Sequence, residues 1–172
     1  MPPLGDDLRP RRIFTKISEV TPEVLSELGA KAVAVDLDNT LAYDATFRPF
    51  DDAIPWVEAM RSAGIPVILF TNTYHLRAKI MGRKFGLRYV SPGRKPAPDG
   101  YHRCASILGI ELGDLAMIGD QLFTDIRGAN NAGAISILVR PRHREILLHF
   151  RYKKLRRLEN IYLRNMETEK PI

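Results

Sequence analysis

Four short apolar runs constrain this chain more than any other feature. They are Ala32-Val33-Ala34-Val35, Pro66-Val67-Ile68-Leu69-Phe70, Leu115-Ala116-Met117-Ile118 and Ile135-Ser136-Ile137-Leu138-Val139. A strand covered on one face alternates apolar and polar residues; these runs do not alternate, as expected of strands buried on both faces of a parallel sheet. Tyr89-Val90 is a shorter candidate of the same kind. Between the runs lie helical patterns, roughly 53–62, 75–85, 99–108 and 123–132. Glycines at 64, 86, 109 and 133 close them, the residue that best accepts the left-handed conformation after a helix. A further helix over 22–28 has Thr21 as N-cap and Pro22 in its first position. Strands alternating with helices predict an α/β fold, an open and mainly parallel sheet with helices on both faces.

The length, 172 residues, suits one globular unit with a real core. Cys104 is the single cysteine, so neither an intrachain disulfide nor a thiolate metal cluster is available, and a reducing compartment is expected. No apolar run approaches the ~18 residues that span a bilayer. The start, Met1-Pro2-Pro3-Leu4-Gly5-Asp6-Asp7, lacks the basic and apolar segments of a signal peptide. A soluble, cytoplasmic protein is the expectation.

Charge is unevenly placed. Residues 140–172 hold ten Lys/Arg against four Glu, which accounts for the whole formal surplus of +6. Residues 142–166 read as one long helix, an appendage to a core of residues 1–141, with the tail running over 142–172. Leu148, Tyr152, Leu155, Leu158, Tyr162 and Met166 form its apolar stripe, with Arg151, Lys153, Lys154, Arg156, Arg157 and Arg164 on the other faces. Two readings of this tail stand: it lies on an anionic membrane surface, peripheral at the inner face, or its stripe packs on the core or on a second subunit.

Ligands of open α/β sheets bind at the carboxyl ends of the strands. There the sequence places Asp36-Leu37-Asp38-Asn39-Thr40, Thr71-Asn72 and Gly119-Asp120-Gln121-Leu122-Phe123-Thr124-Asp125, with Lys95 in the loop Ser91-Pro92-Gly93-Arg94-Lys95-Pro96. Asp36 and Asp38, two apart in extended chain, face one pocket, and such close carboxylates need a cation or a shared proton. With Asp120 they make an oxygen-only set that favours Mg²⁺ over Zn²⁺. Trp56 and Phe47, near the first loop, either line the mouth of the site or pack in the core. His75, His102, His143 and His149 have no metal-ligand spacing, and no phosphate-cradling glycine loop is present.

In their order these motifs resemble those of the haloacid dehalogenase (HAD) superfamily: Asp36-Leu37-Asp38-Asn39-Thr40 its Asp-x-Asp-x-Thr, Thr71 its second motif, Lys95 its third, and Gly119-Asp120 with Asp125 its fourth. From about Ile13 to Pro141 the chain is similar to the YqeG-type subfamily IIIA phosphatases, through those stretches and Ser136-Ile137-Leu138-Val139-Arg140-Pro141. The resemblance implies a three-layer Rossmann-like sandwich and a Mg²⁺-dependent phosphatase. It makes Asp36 the nucleophile that forms an aspartyl-phosphate and Asp38 the acid and base. Thr71 and Lys95 would hold the transferring phosphoryl group. Asp36, Asp120 and the backbone carbonyl of Asp38 would be metal ligands. Asp125 is implied either as an outer metal ligand or as a partner orienting Lys95, and Asn72 either touches substrate or closes the loop. Relatives of this type include phosphatidylglycerophosphate phosphatases, which implies a lipid phosphate among the candidate phosphate-ester substrates.

Family members often insert a cap between these motifs. Here 30 residues separate the first motif from the second and 23 the second from the third, too few for a folded lid, and similarity to capless members implies a large or surface-borne substrate. The rival class is a binding module whose basic tail docks on RNA or protein beside a vestigial core. Nucleic acid is unsupported by any groove-reading motif, and the intact acidic set argues against vestigiality.

Overall fold

The computed structural model describes residues 6–142 and 150–168. In chain order its main elements are β1 (Arg12–Phe14), α1 (Pro22–Glu27), β2 (Ala32–Val35), α2 (Ala53–Ser62), β3 (Val67–Phe70), α3 (His75–Phe85), β4 (Arg88–Val90), α4 (Asp99–Leu108), β5 (Leu115–Gly119), α5 (Arg127–Ala132), β6 (Ile135–Val139) and α6 (Phe150–Thr168). The strands form one six-stranded sheet in the order β1-β6-β5-β2-β3-β4, every neighbouring pair parallel.

Alternation within β2 shows why the apolar runs are continuous. Val33 and Val35 pack with Leu25, Trp56, Met60 and Met81 of α1, α2 and α3. Ala34, pointing the other way, packs with Phe70, Met117 and with Tyr101, Cys104 and Ala129 of α4 and α5. Trp56 belongs to the first of these cores and donates its indole N–H to the Val20 carbonyl at 2.8 Å, whereas Phe47 is exposed. Cys104 is fully buried, which pushes its thiol up to about 12. Thr21 caps α1, its side chain accepting from the Val24 N–H.

Three features differ from the sequence expectation. Strand β1 is a three-residue edge, partly exposed and charged at Arg12, with too little apolar pattern to be read. The helix expected over 123–132 begins instead as a π-helical turn, Leu122–Ile126, before α5. The apolar face of the tail is also rotated from the expected stripe. Leu163 packs with Leu8, Leu122, Ile126 and Leu138, and Tyr162 and Met166 lie against them, but Leu158 stays exposed while Glu159 is buried. Residues 143–149, and with them His143, Leu148 and His149, lie outside the described residues, as does the side chain of Tyr152. No described helix is long and apolar enough to cross a membrane.

Register positions the site. Val35 lies opposite Ile118 on one side and Leu69 on the other. The residues that follow, Asp36, Gly119-Asp120 and Phe70-Thr71, therefore emerge side by side at one rim. The connections that follow β2 and β3 hold α2 and the pair α3–β4, with no further folded unit among the described residues.

Candidate active site

The β2 end supplies two carboxylates with different surroundings. Asp36 continues the ladder, its N–H donating to the Ile118 carbonyl at 2.8 Å, and its side chain turns into the body of the protein. The chain then bends sharply, with the N–H groups of Leu41 and Ala42 both donating to the Leu37 carbonyl and Asn39 in the left-handed region at φ 56°. Asp38 remains partly open to solvent. Both its oxygens accept from the buried guanidinium of Arg77 in α3, at 2.7 and 2.8 Å, and Oδ1 also takes the Ala45 N–H. Arg77 is anchored in turn by the Thr46 carbonyl.

Lys95 reaches Asp36 from the loop before α4. Its ammonium donates to Asp36 Oδ1 at 2.7 Å, to Asp125 Oδ1 at 2.6 Å and to the Phe70 carbonyl at 3.0 Å. Asn72 holds that loop by a pair of bonds: its Nδ2 donates to the Lys95 carbonyl, and its Oδ1 accepts the Lys95 N–H. These two bonds tie the Lys95 loop to the end of β3. Thr71 is buried beside it, with Oγ1 accepting the Thr73 N–H.

Asp125 comes from the π-helical turn. The wide turn, in which the Ile126 N–H reaches the Gln121 carbonyl, directs the Asp125 side chain back under the end of β5. One oxygen holds Lys95 and the other accepts the Gln121 N–H at 3.1 Å. Glycine is needed at 119 for this approach, because a Cβ there would lie 2.3 Å from the Asp125 carboxylate. Asp120, next in the chain, is met from the tail helix. Arg156 of α6 pairs with Asp120 Oδ2 and donates to the Asp120 carbonyl at 3.0 Å. Glu159, one turn on, binds Arg156 at 2.9 Å and accepts the Phe123 N–H.

Four buried carboxylates (Asp36, Asp120, Asp125 and Glu159) therefore face two cations, Lys95 and Arg156. Burial raises the Asp36 carboxyl to about 7; Lys95 opposes the rise, and the charges of Asp125 and Asp38 add to it. Asp120 is raised well above the usual range, again by burial, with Arg156 opposing. Glu159 is raised for the same reason. Burial pulls the Lys95 ammonium down, but Asp125 and Asp36 outweigh it and hold it above its ordinary value. Such an excess of buried negative charge fits a hard cation. So does the geometry: Asp36, Asp120 and Asp125 bring carboxylate oxygens within 4.8 Å of one another, and Asp120 Oδ1 is buried with no hydrogen-bond partner among the described residues. The Asp38 carboxylate is outside that cluster, committed to Arg77.

Arg77, Arg156 and Glu159 join the site without a sign in the sequence. Each is a charged residue in a helix, and Arg156 sits within a basic run; nothing in the residue pattern separates it from its solvated neighbours.

Comparison with known proteins gives the family. The family model of haloacid dehalogenase-like hydrolases matches residues 11–133. The chain belongs to that family. Among its relatives, the probable phosphatase YqeG of Bacillus subtilis (strain 168) is 33% identical over 132 residues, 77% of each chain. Phosphatidylglycerophosphate phosphatase 1 of Arabidopsis thaliana, a chloroplastic and mitochondrial protein, is 28% identical over 146 residues, covering 80% of this chain and 42% of the plant one. A HAD family hydrolase from Deinococcus radiodurans R1, solved with phosphate and sodium, shares the fold. Its TM-score is 0.54 at 20% identity, over 74% of this chain and 89% of that one.

Proposed function

We propose that this HAD-like phosphatase hydrolyses phosphate monoesters through a covalent intermediate on Asp36, assisted by Mg²⁺, and that its substrate is a lipid phosphate of the phosphatidylglycerophosphate kind. The observation that carries the chemistry is the cluster itself: Asp36, Lys95, Asp120 and Asp125 converge at one rim, with one Asp120 oxygen unpartnered. Asp36 attacks phosphorus, the bond to the leaving oxygen breaks, and Asp38 delivers the proton which that oxygen needs. Water then attacks the aspartyl-phosphate, gives its proton to Asp38, and releases inorganic phosphate with Asp36 restored. Both oxygens of Asp38 rest on Arg77, so Asp38 exchanges one of those bonds for the substrate when it acts. Lys95 and Thr71 steady the oxygens of the transferring group, and Asp125 and Asn72 hold Lys95 in place. Asp36, Asp120 and the Asp38 backbone carbonyl would hold a Mg²⁺, which would supply the positive charge that lets a carboxylate approach a phosphate.

The lipid part of the reading is supported by the rim. Phe47 and Tyr74 are exposed where the chain leaves β2 and β3, Leu76 and Ile80 follow along α3, and Lys84 binds the Phe47 carbonyl at 2.8 Å, joining the two segments. Exposed Lys79, Arg83 and Lys84, farther along α3, add positive charge suited to anionic headgroups. The test is phosphate release from vesicle-borne phosphatidylglycerophosphate and from soluble monoesters, each with Mg²⁺ and with EDTA. Release from the lipid, dependent on Mg²⁺, is expected. Release only from soluble esters overturns the lipid assignment, and release from none of them overturns the enzymatic one.

A further inference from the structure

We infer that α6 is part of the cation site: Arg156 and Glu159 position Asp120 for the metal, so that metal binding and docking of the tail helix stabilise each other. The inference rests on the Mg²⁺ reading above and goes beyond it. Its basis is how the two oxygens of Asp120 are shared out. Oδ2 is taken by Arg156, which also grips the Asp120 backbone carbonyl; Oδ1 is buried in the cluster with no hydrogen-bond partner among the described residues. The guanidinium fixes the carboxylate at two points, the side chain and its own main chain, and leaves the other oxygen for a cation.

An arginine beside a cation site would ordinarily repel the cation. Here Glu159 offsets that cost. It lies 2.9 Å from Arg156, is itself buried, and brings one negative charge for the one positive charge it accompanies. The pair therefore adds no net charge to the site, and what remains is its geometry. Glu159 also accepts the Phe123 N–H at 3.2 Å, tying α6 to the π-helical turn that carries Asp125. Leu163 completes the attachment by packing on Leu122, Ile126 and Leu138. The tail helix is thus fastened to both chain segments that deliver acids from β5, Asp120 and Asp125.

The test is a calorimetric Mg²⁺ titration without substrate, on the full chain. Replacing Arg156→Met together with Glu159→Gln leaves the formal charge of the site unchanged and removes the positioning. The dissociation constant is expected to rise about tenfold, on the scale of lost outer contacts to metal ligands. Arg156→Lys, a milder change that keeps the charge and loses the guanidinium fork, should fall between this variant and the wild type. Coupling is reciprocal, so Mg²⁺ should slow cleavage within α6 by trypsin in the wild type and do so less in the double variant. An unchanged or tighter Mg²⁺ affinity in the double variant overturns the inference, as does faster cleavage of α6 in Mg²⁺, which would mean that Arg156 competes with the cation. Absence of Mg²⁺ binding by the wild type overturns this inference and the Mg²⁺ reading together; the other outcomes leave that reading standing.

Discussion

Arg77 and Arg156 each reach an aspartate of the site from a helix, one at the α3 side and one at the α6 side, yet they enter different electrostatic settings. At the α3 side, Arg77 and Asp38 make a closed pair: one cation, one anion, and the Thr46 carbonyl and Thr73 hydroxyl for the remaining donors. At the α6 side, Arg156 joins a group in which carboxylates still outnumber cations by two. A self-neutralised pair holds a side chain in place and needs nothing further. An unbalanced buried group is costly until a divalent cation or protons balance it. In the proposed mechanism the labour divides accordingly, with proton transfer at the α3 side and cation binding at the α6 side.

The sharpest way to break this division is at Asp36, which both halves share. Asp36→Asn should lower phosphate release by about a thousandfold or more, with circular dichroism unchanged, because an amide forms no aspartyl-phosphate. Turnover within tenfold of wild type would remove Asp36 as the nucleophile. Asp120→Ala tests the α6 side. The Mg²⁺ concentration for half-maximal rate should rise at least about tenfold, since a charged ligand is lost outright, and an unmoved titration would place the cation elsewhere. Arg77→Met tests the α3 side. We expect kcat to fall by ~10²-fold, within the range of general acid–base catalysis, with the Mg²⁺ titration unmoved. If that titration shifts too, the two sides are one unit and the division fails.

The smallest effect concerns pH. Asp36 holds its proton up to about 7 in the folded chain, against roughly 3.9 for an unfolded aspartate. The folded state therefore binds more protons between those values, and stability falls as pH rises through that window. In EDTA, the midpoint of thermal unfolding should drop from pH 5 to pH 7 by more in the wild type than in Asp36→Asn, at about 2–4 °C for each kcal/mol. Mg²⁺ should flatten the difference. Equal slopes in EDTA would mean that Asp36 is not titrating in this window.

Much of this arrangement is legible in the residues. β2, β3, β5 and β6 are apolar on both faces and so announce themselves, and Asp36, Asp38, Thr71, Lys95, Asp120 and Asp125 follow them at ends where ligands collect. β1 is too short for any periodicity, and its pairing with β6 is a long-range event. The π-helical turn hides inside a helical pattern, because one wider turn leaves composition untouched. Arg77, Arg156 and Glu159 read as solvated charge; only the tertiary contacts turn them inward. The tail makes the point most clearly. Its hydrophobic stripe suggests one face, but the half-buried Arg156, paired with buried Glu159 beside Leu163, fixes another.

The short connections after β2 and β3 carry a consequence for catalysis. Beyond the folded-back segment 37–52, those gaps hold only α2 and the α3–β4 unit, and no further folded unit among the described residues covers Asp36. Enclosure must then come from the molecule that binds. A bulky ester, or a headgroup presented by a surface, shields the reacting phosphoryl group by covering it, and its remote contacts stabilise the reaction step as well as the encounter. A small ester leaves that group open to water above the buried Asp36. In such an enzyme the discarded part of the substrate works as its roof, so trimming that part should depress turnover even where affinity survives.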